Sequence, residues 1–181
     1  AMKMPQPDAD VIRRRRQIIK AMQAIVAGEG VITDEEELRV YDHDGLMAYK
    51  GLPLIVVLPE TTEQVSAILK YAARHNVKIV PRGAGTGVRG GALPKADAIT
   101  RGGGKFNRIL EIDYANRCVV AEAGVANLAV TDAVAPDGFF YGPDPSSQVA
   151  CSLGGNVAEP PDKSREYRID GRGDGGYAEI R

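Results

Sequence analysis

The residues best suited to chemistry lie in one glycine-rich stretch, residues 81–92, which reads PRGAGTGVRGGA. Five of these twelve residues are glycine. Glycine accepts positive φ angles and, because it has no Cβ, lets backbone N–H groups come close to a ligand. Successive exposed N–H groups form a concave site for anions. The stretch therefore predicts a loop that binds an anionic group through its backbone.

The elements around this stretch place it at the end of a strand. The apolar run 54–58 predicts a buried strand, residues 61–76 predict a helix, and residues 77–80 predict a second strand. A β–α–β unit of this kind delivers the loop to the carboxyl end of a strand, where α/β folds bind phosphates.

Two common nucleotide motifs do not account for the loop. Residues 85–90 match G-x-G-x-x-G, but that fingerprint also needs a helix opening at its third glycine and an acidic residue about 20 positions on. Residues 91–97 show no helical apolar period and contain Pro94, so the helix is not supported. No G-x-x-x-x-G-K-[ST] motif is present. A glycine-rich surface turn without a ligand is the alternative interpretation.

Six motifs in order resemble one family over residues 52–158. They read LIVVLPETTEQV (54–65), PRGAGTG (81–87), FNRILEID (106–113), AEAGV (121–125), PDPSS (143–147) and GGNVA (154–158). Together they resemble the FAD-linked subunit of bacterial glycolate oxidase. That subunit belongs with D-lactate dehydrogenases in the vanillyl-alcohol oxidase and p-cresol methylhydroxylase superfamily of flavoproteins.

The resemblance implies a fold and a division into domains. The fold class is α+β with α/β character: the first subdomain of a p-cresol methylhydroxylase-type FAD-binding fold, with a β–α–β unit and a mixed sheet. We expect an N-terminal helical region at 1–51, an incomplete FAD-binding domain at 52–159, and a disordered tail at 160–181 that departs from the family. The tail is charged, rich in glycine and nearly devoid of large apolar residues.

The resemblance also implies a set of cofactor-binding residues. The first group forms the pyrophosphate loop and its exit, and the second lies beside the isoalloxazine and ribityl groups. The first group comprises Arg82, Gly83, Ala84, Gly85, Thr86, Gly87, Val88, Gly90 and Gly91, and the second comprises Pro143, Ser146, Ser147, Gly154, Gly155 and Val157. Taken alone, Gly154 and Gly155 are explained equally well by tight helix packing.

The implied function is FAD binding in an oxidoreductase that oxidises a small 2-hydroxy acid, of the glycolate or D-lactate type. In the family, hydride passes from the substrate Cα to flavin N5, and the cofactor carries the hard chemistry. Noncovalent FAD is expected, because covalent members often attach the flavin through a histidine near this loop, and residues 81–92 hold neither His nor Cys.

No catalytic residue is assigned within this chain, so the expectation is that these 181 residues alone do not oxidise a 2-hydroxy acid at a useful rate. His43 is interpreted as a surface histidine rather than a base. Two alternatives stay open: a flavin- or partner-binding remnant without turnover, and a scaffold fragment without a cofactor. A visible absorbance spectrum would separate them.

Composition restricts the partners. Lys and Arg (23) nearly balance Asp and Glu (24), so nucleic acid is not expected. Apolar runs such as 52–58 fall far short of about 18 residues, so no transmembrane segment is expected. No signal peptide or metal-ligand spacing is evident, and Cys118 and Cys151 do not make a disulfide scaffold. These features predict a cytoplasmic protein, or one held at the inner membrane through partner oxidase subunits.

Other segments give simpler predictions. Residues 10–27 predict an amphipathic helix, on which the four arginines 13–16 form a solvated face. Thr33 and Glu36 suit a capping box. Residues 98–104 look too polar and flexible for a good buried strand. Residues 109–113 and 118–123 predict a hairpin, and residues 127–134 a short helix.

Overall fold

The computed structural model describes residues 5–142, 147, 149–158 and 169–171. The chain divides into two compact units, Ala1–Lys105 and Phe106–Arg181. Each unit is built around a hydrophobic core of its own.

The first unit contains a mixed four-stranded sheet. Three of its strands are parallel, and the two-residue strand at one edge runs antiparallel to its neighbour. The strands are β1 (Val31–Ile32), β2 (Ile55–Val57), β3 (Lys78–Arg82) and β4 (Ala98–Gly102), in the order β1-β2-β4-β3. The predicted β–α–β unit and mixed sheet are confirmed.

Strand β4 corrects the expectation that residues 98–104 make a poor strand. It lies between β2 and β3, with Thr100 opposite Val56 on one side and Val80 on the other. Every residue of β4 except Arg101 is buried. Pairing on both sides satisfies the backbone of this polar sequence, so a central strand forms without an apolar run. Burial lowers the pKa of the Arg101 guanidinium from its usual range.

Helices pack against the sheet. The longest, α4 (Thr62–His75), begins where the Thr61 hydroxyl accepts the N–H of Gln64 and ends at Asn76, which has a φ of 52°. The others in this unit are α1 (Ala9–Arg13), α2 (Arg15–Ile25) and α3 (Glu35–Leu38). Ile18 and Met22 of α2 share a core with Ile68 of α4 and the sheet residues.

The N-terminal segment differs from the sequence prediction in three details. The predicted single helix is two helices, α1 and α2, separated at Arg14. Arg14 donates to the His75 carbonyl, and Arg15 donates to those of Leu54 and Thr33, so only part of the arginine run faces solvent. The cap of α3 is Asp34 rather than Thr33, since its carboxylate accepts two N–H groups of the first turn.

The second unit contains the predicted hairpin, β5 (Ile109–Asp113) and β6 (Cys118–Ala121), and the predicted helix α5 (Asn127–Val134). Val119, Val125, Val130 and Val134 form its core with Tyr141 and Leu153. Helix α6 spans Leu153–Ala158. Strand β7 (Phe139–Tyr141) pairs antiparallel with β8 (Ile169–Gly171).

The core that holds α2 also holds β2 and α4, so the N-terminal helices and the β–α–β unit lie in one compact unit. Within the tail at 160–181, the structure describes only Ile169–Gly171, which forms a strand where we expected disorder. The other tail residues are outside the described part of the chain.

Candidate functional site

The glycine-rich loop, residues 83–92, follows directly from strand β3. It turns through positive φ at two of its glycines, with φ of 74° at Gly85 and 79° at Gly90. Other residues adopt this backbone conformation with difficulty. The loop starts where Gly103 donates its N–H to the Arg82 carbonyl (2.9 Å) and closes where Leu93 donates to the Gly90 carbonyl (3.3 Å).

The backbone between these two points has free donors. Within the described part of the chain, no hydrogen bond is donated by the N–H groups of residues 83–89. Gly83, Ala84, Val88 and Arg89 are exposed, and Gly85, Thr86 and Gly87 are partly exposed. A run of accessible, unpaired N–H groups at the carboxyl end of a parallel strand suits an anion such as a diphosphate.

Arg82 contacts both the loop and residues 41–43. Its Nη1 donates to the His43 carbonyl at 2.6 Å, and its Cζ lies 5.6 Å from the centre of the Tyr41 ring. A Cβ on Gly85 would stand 2.6 Å from this Cζ, so the guanidinium lies against the loop backbone. The side chain therefore links the loop to His43, and Gly85 is needed for its φ angle.

The segment Tyr41–Leu46, called the supporting segment below, lies against the same loop. A Cβ on Gly45 would meet the carbonyl oxygens of Thr86 at 2.5 Å and Gly87 at 2.8 Å. The Leu46 side chain lies 3.6 Å from the position of a Cβ on Gly90. Nothing in the sequence singles out Gly45 as the contact point.

His43 belongs to the supporting segment. Its Nδ1 contacts the Asp42 carboxylate, and this hydrogen bond holds the pKa of Asp42 below its usual range despite partial desolvation. Because the His43 carbonyl binds Arg82, the residue is placed to support the loop. Among the described residues, no group of three His, Cys, Asp or Glu side chains is arranged to hold a metal ion.

The second group of predicted site residues lies in the second unit. Ser147 accepts the N–H groups of Ala150 (2.9 Å) and Cys151 (2.8 Å) through its carbonyl. Gly154 donates to the Ala123 carbonyl at 2.8 Å, and a Cβ on Gly154 would lie 2.9 Å from the Ala123 Cβ. Close packing therefore requires glycine at 154. Pro143 and Ser146 are outside the described residues.

An apolar groove of about 350 Å³ adjoins the start of helix α6. Val157, 46% exposed, lies at its edge, and the lining consists of Val119, Ala121, Ala123, Leu153, Gly154, Val157 and Ala158. The Gly155 N–H lies 3.4 Å from the Ser152 hydroxyl, which accepts it. Helix α6 is tied to α5 by a buried hydrogen bond of 2.8 Å from Asn156 to Asn127.

The fold is that of the p-cresol methylhydroxylase-type flavoproteins. A 4-ethylphenol oxidase from Gulosibacter chungangensis matches 92% of this chain over 32% of its own, with a TM-score of 0.71 and 24% identity. p-Cresol methylhydroxylase matches 83% of this chain over 30% of its own, with a TM-score of 0.70 and 19% identity.

The chain belongs to the FAD binding domain family, whose model matches residues 53–160. It is 46% identical to the glycolate oxidase subunit GlcD of Escherichia coli K12 over 153 residues, 84% of this chain. It is 39% identical to GlcD of Bacillus subtilis over 66% of this chain, and 33% identical to a mitochondrial D-2-hydroxyglutarate dehydrogenase of Bos taurus over 77%. The chain spans about 30% of the length of the first relative and about 26% of the length of each of the other two.

FAD is therefore the cofactor of this domain, and the loop geometry fits it. The free N–H groups of residues 83–89 match the acceptor oxygens of its diphosphate. No helix among the described residues is long and apolar enough to cross a membrane.

Proposed function

We propose that this chain provides the diphosphate-binding part of the flavin domain in an FAD-dependent oxidoreductase that oxidises a small 2-hydroxy acid. The observation that supports this proposal is the run of N–H groups at residues 83–89, which have no acceptor among the described residues and belong to exposed or partly exposed residues. The names of its relatives, a glycolate oxidase subunit and a D-2-hydroxyglutarate dehydrogenase, support the substrate class. The oxidation is proposed for the whole protein.

The loop residues have different proposed roles in binding the diphosphate. Gly85 and Gly90 turn the backbone through positive φ. The residues proposed to line the path of the diphosphate are Gly83, Ala84, Thr86, Gly87, Val88 and Gly91. Arg82 links the loop to His43 by a hydrogen bond. When bound, FAD supplies the acceptor for the hydride that leaves the substrate Cα.

The second group is proposed to lie beside the flavin end of the cofactor. Gly154 and Gly155 keep the start of α6 free of side-chain atoms, and the groove edged by Val157 offers an apolar wall. Such a wall suits part of a flat ring system. Ser147 is proposed to contribute polar contacts, with Pro143 and Ser146 assigned on the family resemblance alone.

We also propose partners and a location for the whole protein. Because relatives are named as a subunit of glycolate oxidase, we propose that the whole protein works with further oxidase subunits. A cytoplasmic location, or attachment to the inner membrane through such subunits, fits this arrangement.

The test of the proposed function is an FAD titration of the purified chain, followed by flavin fluorescence. We expect saturable binding by the wild type and a loss of at least ten-fold in affinity for Gly87→Val, because a branched side chain obstructs the approach of the diphosphate to the backbone. Gly104→Val is the matched control, since a Cβ there meets no atom within 4 Å. Absence of saturable FAD binding by the wild type would reject the proposal.

A further inference from the structure

A small cavity lies in the first unit, at the amino ends of its parallel strands. Its lining includes Leu52, which precedes β2, Lys78, the first residue of β3, and residues 94–97, which precede β4. The glycine-rich loop follows the carboxyl end of β3, so the length of this strand separates the cavity from the loop. The cavity has a volume of about 160 Å³. A ligand of several non-hydrogen atoms fits this space, since one water molecule occupies about 30 Å³.

Positive charge dominates this cavity. The charged side chains that line it are those of Lys50, Lys78, Lys95 and Asp97, so three positive charges meet one negative charge. Lys78 Nζ donates to the Asp97 carboxylate at 2.5 Å, and this pairing leaves the other two lysines. Among the residues that the structure describes, Lys50 and Lys95 form no ion pair and no side-chain hydrogen bond. A cleft lined by one sign of charge concentrates ligands of the opposite charge.

The acidic side chains near the cavity are engaged elsewhere. Asp97 also accepts the N–H of Asp8 at 3.1 Å, and the Asp8 carboxylate accepts N–H groups at the start of α1. The Asp42 carboxylate contacts His43, and this hydrogen bond lowers the pKa of Asp42 more than the charge of Lys50 does. These contacts give neither of the two remaining lysines a carboxylate partner. An excess of two positive charges therefore faces the cavity.

The rest of the lining is largely apolar. It includes Leu52, Pro94 and Ala96, together with Pro5 and Pro7 of the N-terminal segment. Proline fixes its own φ angle, so the proline-containing parts of the wall lose little freedom when a ligand binds. An inorganic anion leaves such a wall unused, whereas an organic anion with a short aliphatic body makes contact with it.

We propose that this cavity binds a small organic dianion, a dicarboxylate of about four or five carbons, through Lys50 and Lys95. Each ammonium donates to one carboxylate, and the aliphatic chain lies against the proline and leucine side chains. This inference does not rest on the proposed function, because the cavity and the glycine-rich loop lie at opposite ends of β3. The dicarboxylate and FAD therefore bind without displacing each other.

The first experiment uses the wild type alone, so it does not depend on the folding of a variant. Succinate is titrated into the chain in a calorimeter at constant ionic strength, because salt screens exposed charges. Butyrate has the same number of carbons but one carboxylate, and inorganic phosphate has no aliphatic body. We expect saturable binding of succinate and at least ten-fold weaker binding of the other two anions. Saturating FAD should leave the succinate affinity unchanged.

The second experiment removes one lysine charge at a time. Lys50→Gln and Lys95→Gln should each lose about ten-fold or more in succinate affinity, the range for a hydrogen bond to a charged group. In each variant succinate and butyrate should bind about equally, because the second carboxylate has lost its partner. Lys70→Gln is the matched control, since Lys70 is an exposed lysine of α4 outside the cavity lining. We expect less than about a two-fold change there. Urea unfolding checks that every variant is folded.

Several results would overturn the inference. The wild type would bind succinate without saturation, or would bind butyrate or phosphate as tightly as succinate. Wild-type succinate affinity in both Lys50→Gln and Lys95→Gln would place the ligand elsewhere, and an equal loss in Lys70→Gln would reduce the effect to overall charge. Competition between succinate and FAD would move the dicarboxylate to the glycine-rich loop.

Discussion

Arg82 joins the glycine-rich loop to the supporting segment by a hydrogen bond to the His43 carbonyl and by its position over the Tyr41 ring. Lysine cannot reproduce this pair of contacts, because its ammonium is neither planar nor forked. We expect Arg82→Lys to lower the free energy of unfolding by roughly 1–2 kcal/mol, the sum of one hydrogen bond and one cation–π contact. FAD affinity should fall several-fold as the loop loosens.

Urea unfolding and FAD titration measure these two effects. Arg74→Lys is the control, because Arg74 is an exposed residue of helix α4. Unchanged stability and unchanged FAD affinity in Arg82→Lys would show that the loop keeps its position without the guanidinium.

The residues of the loop also determine how FAD is retained. Residues 81–92 contain neither histidine nor cysteine, the side chains that commonly attach a flavin covalently. We expect acid precipitation of the FAD-loaded chain to release all of the yellow colour into the supernatant. Colour that stays with the washed, precipitated protein would refute noncovalent binding.

At the scale of elements, the start of β3 is tied to the turn before β4 by one buried carboxylate. Asp97, 3% exposed, accepts Lys78 Nζ at 2.5 Å and the N–H of Asp8 at 3.1 Å. Burial alone raises the pKa of Asp97, but the hydrogen bonds from Lys78 and Asp8, with the charge of Lys78, hold it below its usual range.

This lowered pKa predicts the direction of a pH effect. The unfolded chain binds a proton at Asp97 near pH 4, and the folded chain binds it only at lower pH. Its contribution to stability is therefore fully present above about pH 4 and is lost as pH falls through the folded pKa. Asp97→Asn should lose about 1–3 kcal/mol at pH 7 and show a smaller fall in stability below pH 4.

Urea unfolding of both proteins between pH 2.5 and pH 7, ~0.5 pH units apart, measures this difference. Exposed Glu29→Gln serves as the control for the loss of one carboxylate. Parallel pH profiles for Asp97→Asn and the wild type would contradict the assignment.

The elements that were predictable from sequence are those with local signals. Helix α4 carries an apolar stripe, a threonine cap and a left-handed end at Asn76, and the hairpin β5–β6 has apolar strands around a polar turn. Strand β4 was judged a poor strand because its burial comes from pairing with β2 and β3, which lie far away in sequence. No periodicity within residues 98–104 carries that information.

In the candidate site, too, some features could be predicted from the sequence and others could not. Its glycines could be recognised because positive φ and close approach are requirements of single residues. The hydrogen bond from Arg82 to the His43 carbonyl could not, since it joins residues 39 positions apart in the sequence. Position 154 combines the two cases: the sequence left a ligand and tight helix packing open as reasons for glycine there, and the structure shows that packing against Ala123 requires it.

At the scale of the whole molecule, the family match extends across both compact units. It covers residues 53–160, and the boundary between the two units, after Lys105, falls inside this range. The N-terminal helices lie outside the matched range, yet they share a core with β2 and α4. The supporting segment also precedes the matched range and contacts the loop. The FAD-binding part of this chain thus depends on residues that come before the recognised domain.

Binding of FAD to this folded arrangement should be visible as an increase in thermal stability of the whole chain. A ligand that binds only the folded state, present at 100 times its Kd, stabilises that state by about 2.7 kcal/mol. For a chain of this size that corresponds to a rise in Tm of roughly 5–11 °C. Differential scanning calorimetry with and without FAD measures the shift. Gly104→Val should show the wild-type shift, and Gly87→Val, with at least ten-fold weaker binding, should show about half of it or less at the same FAD concentration. An equal shift in Gly87→Val would place the FAD-binding surface away from the glycine-rich loop.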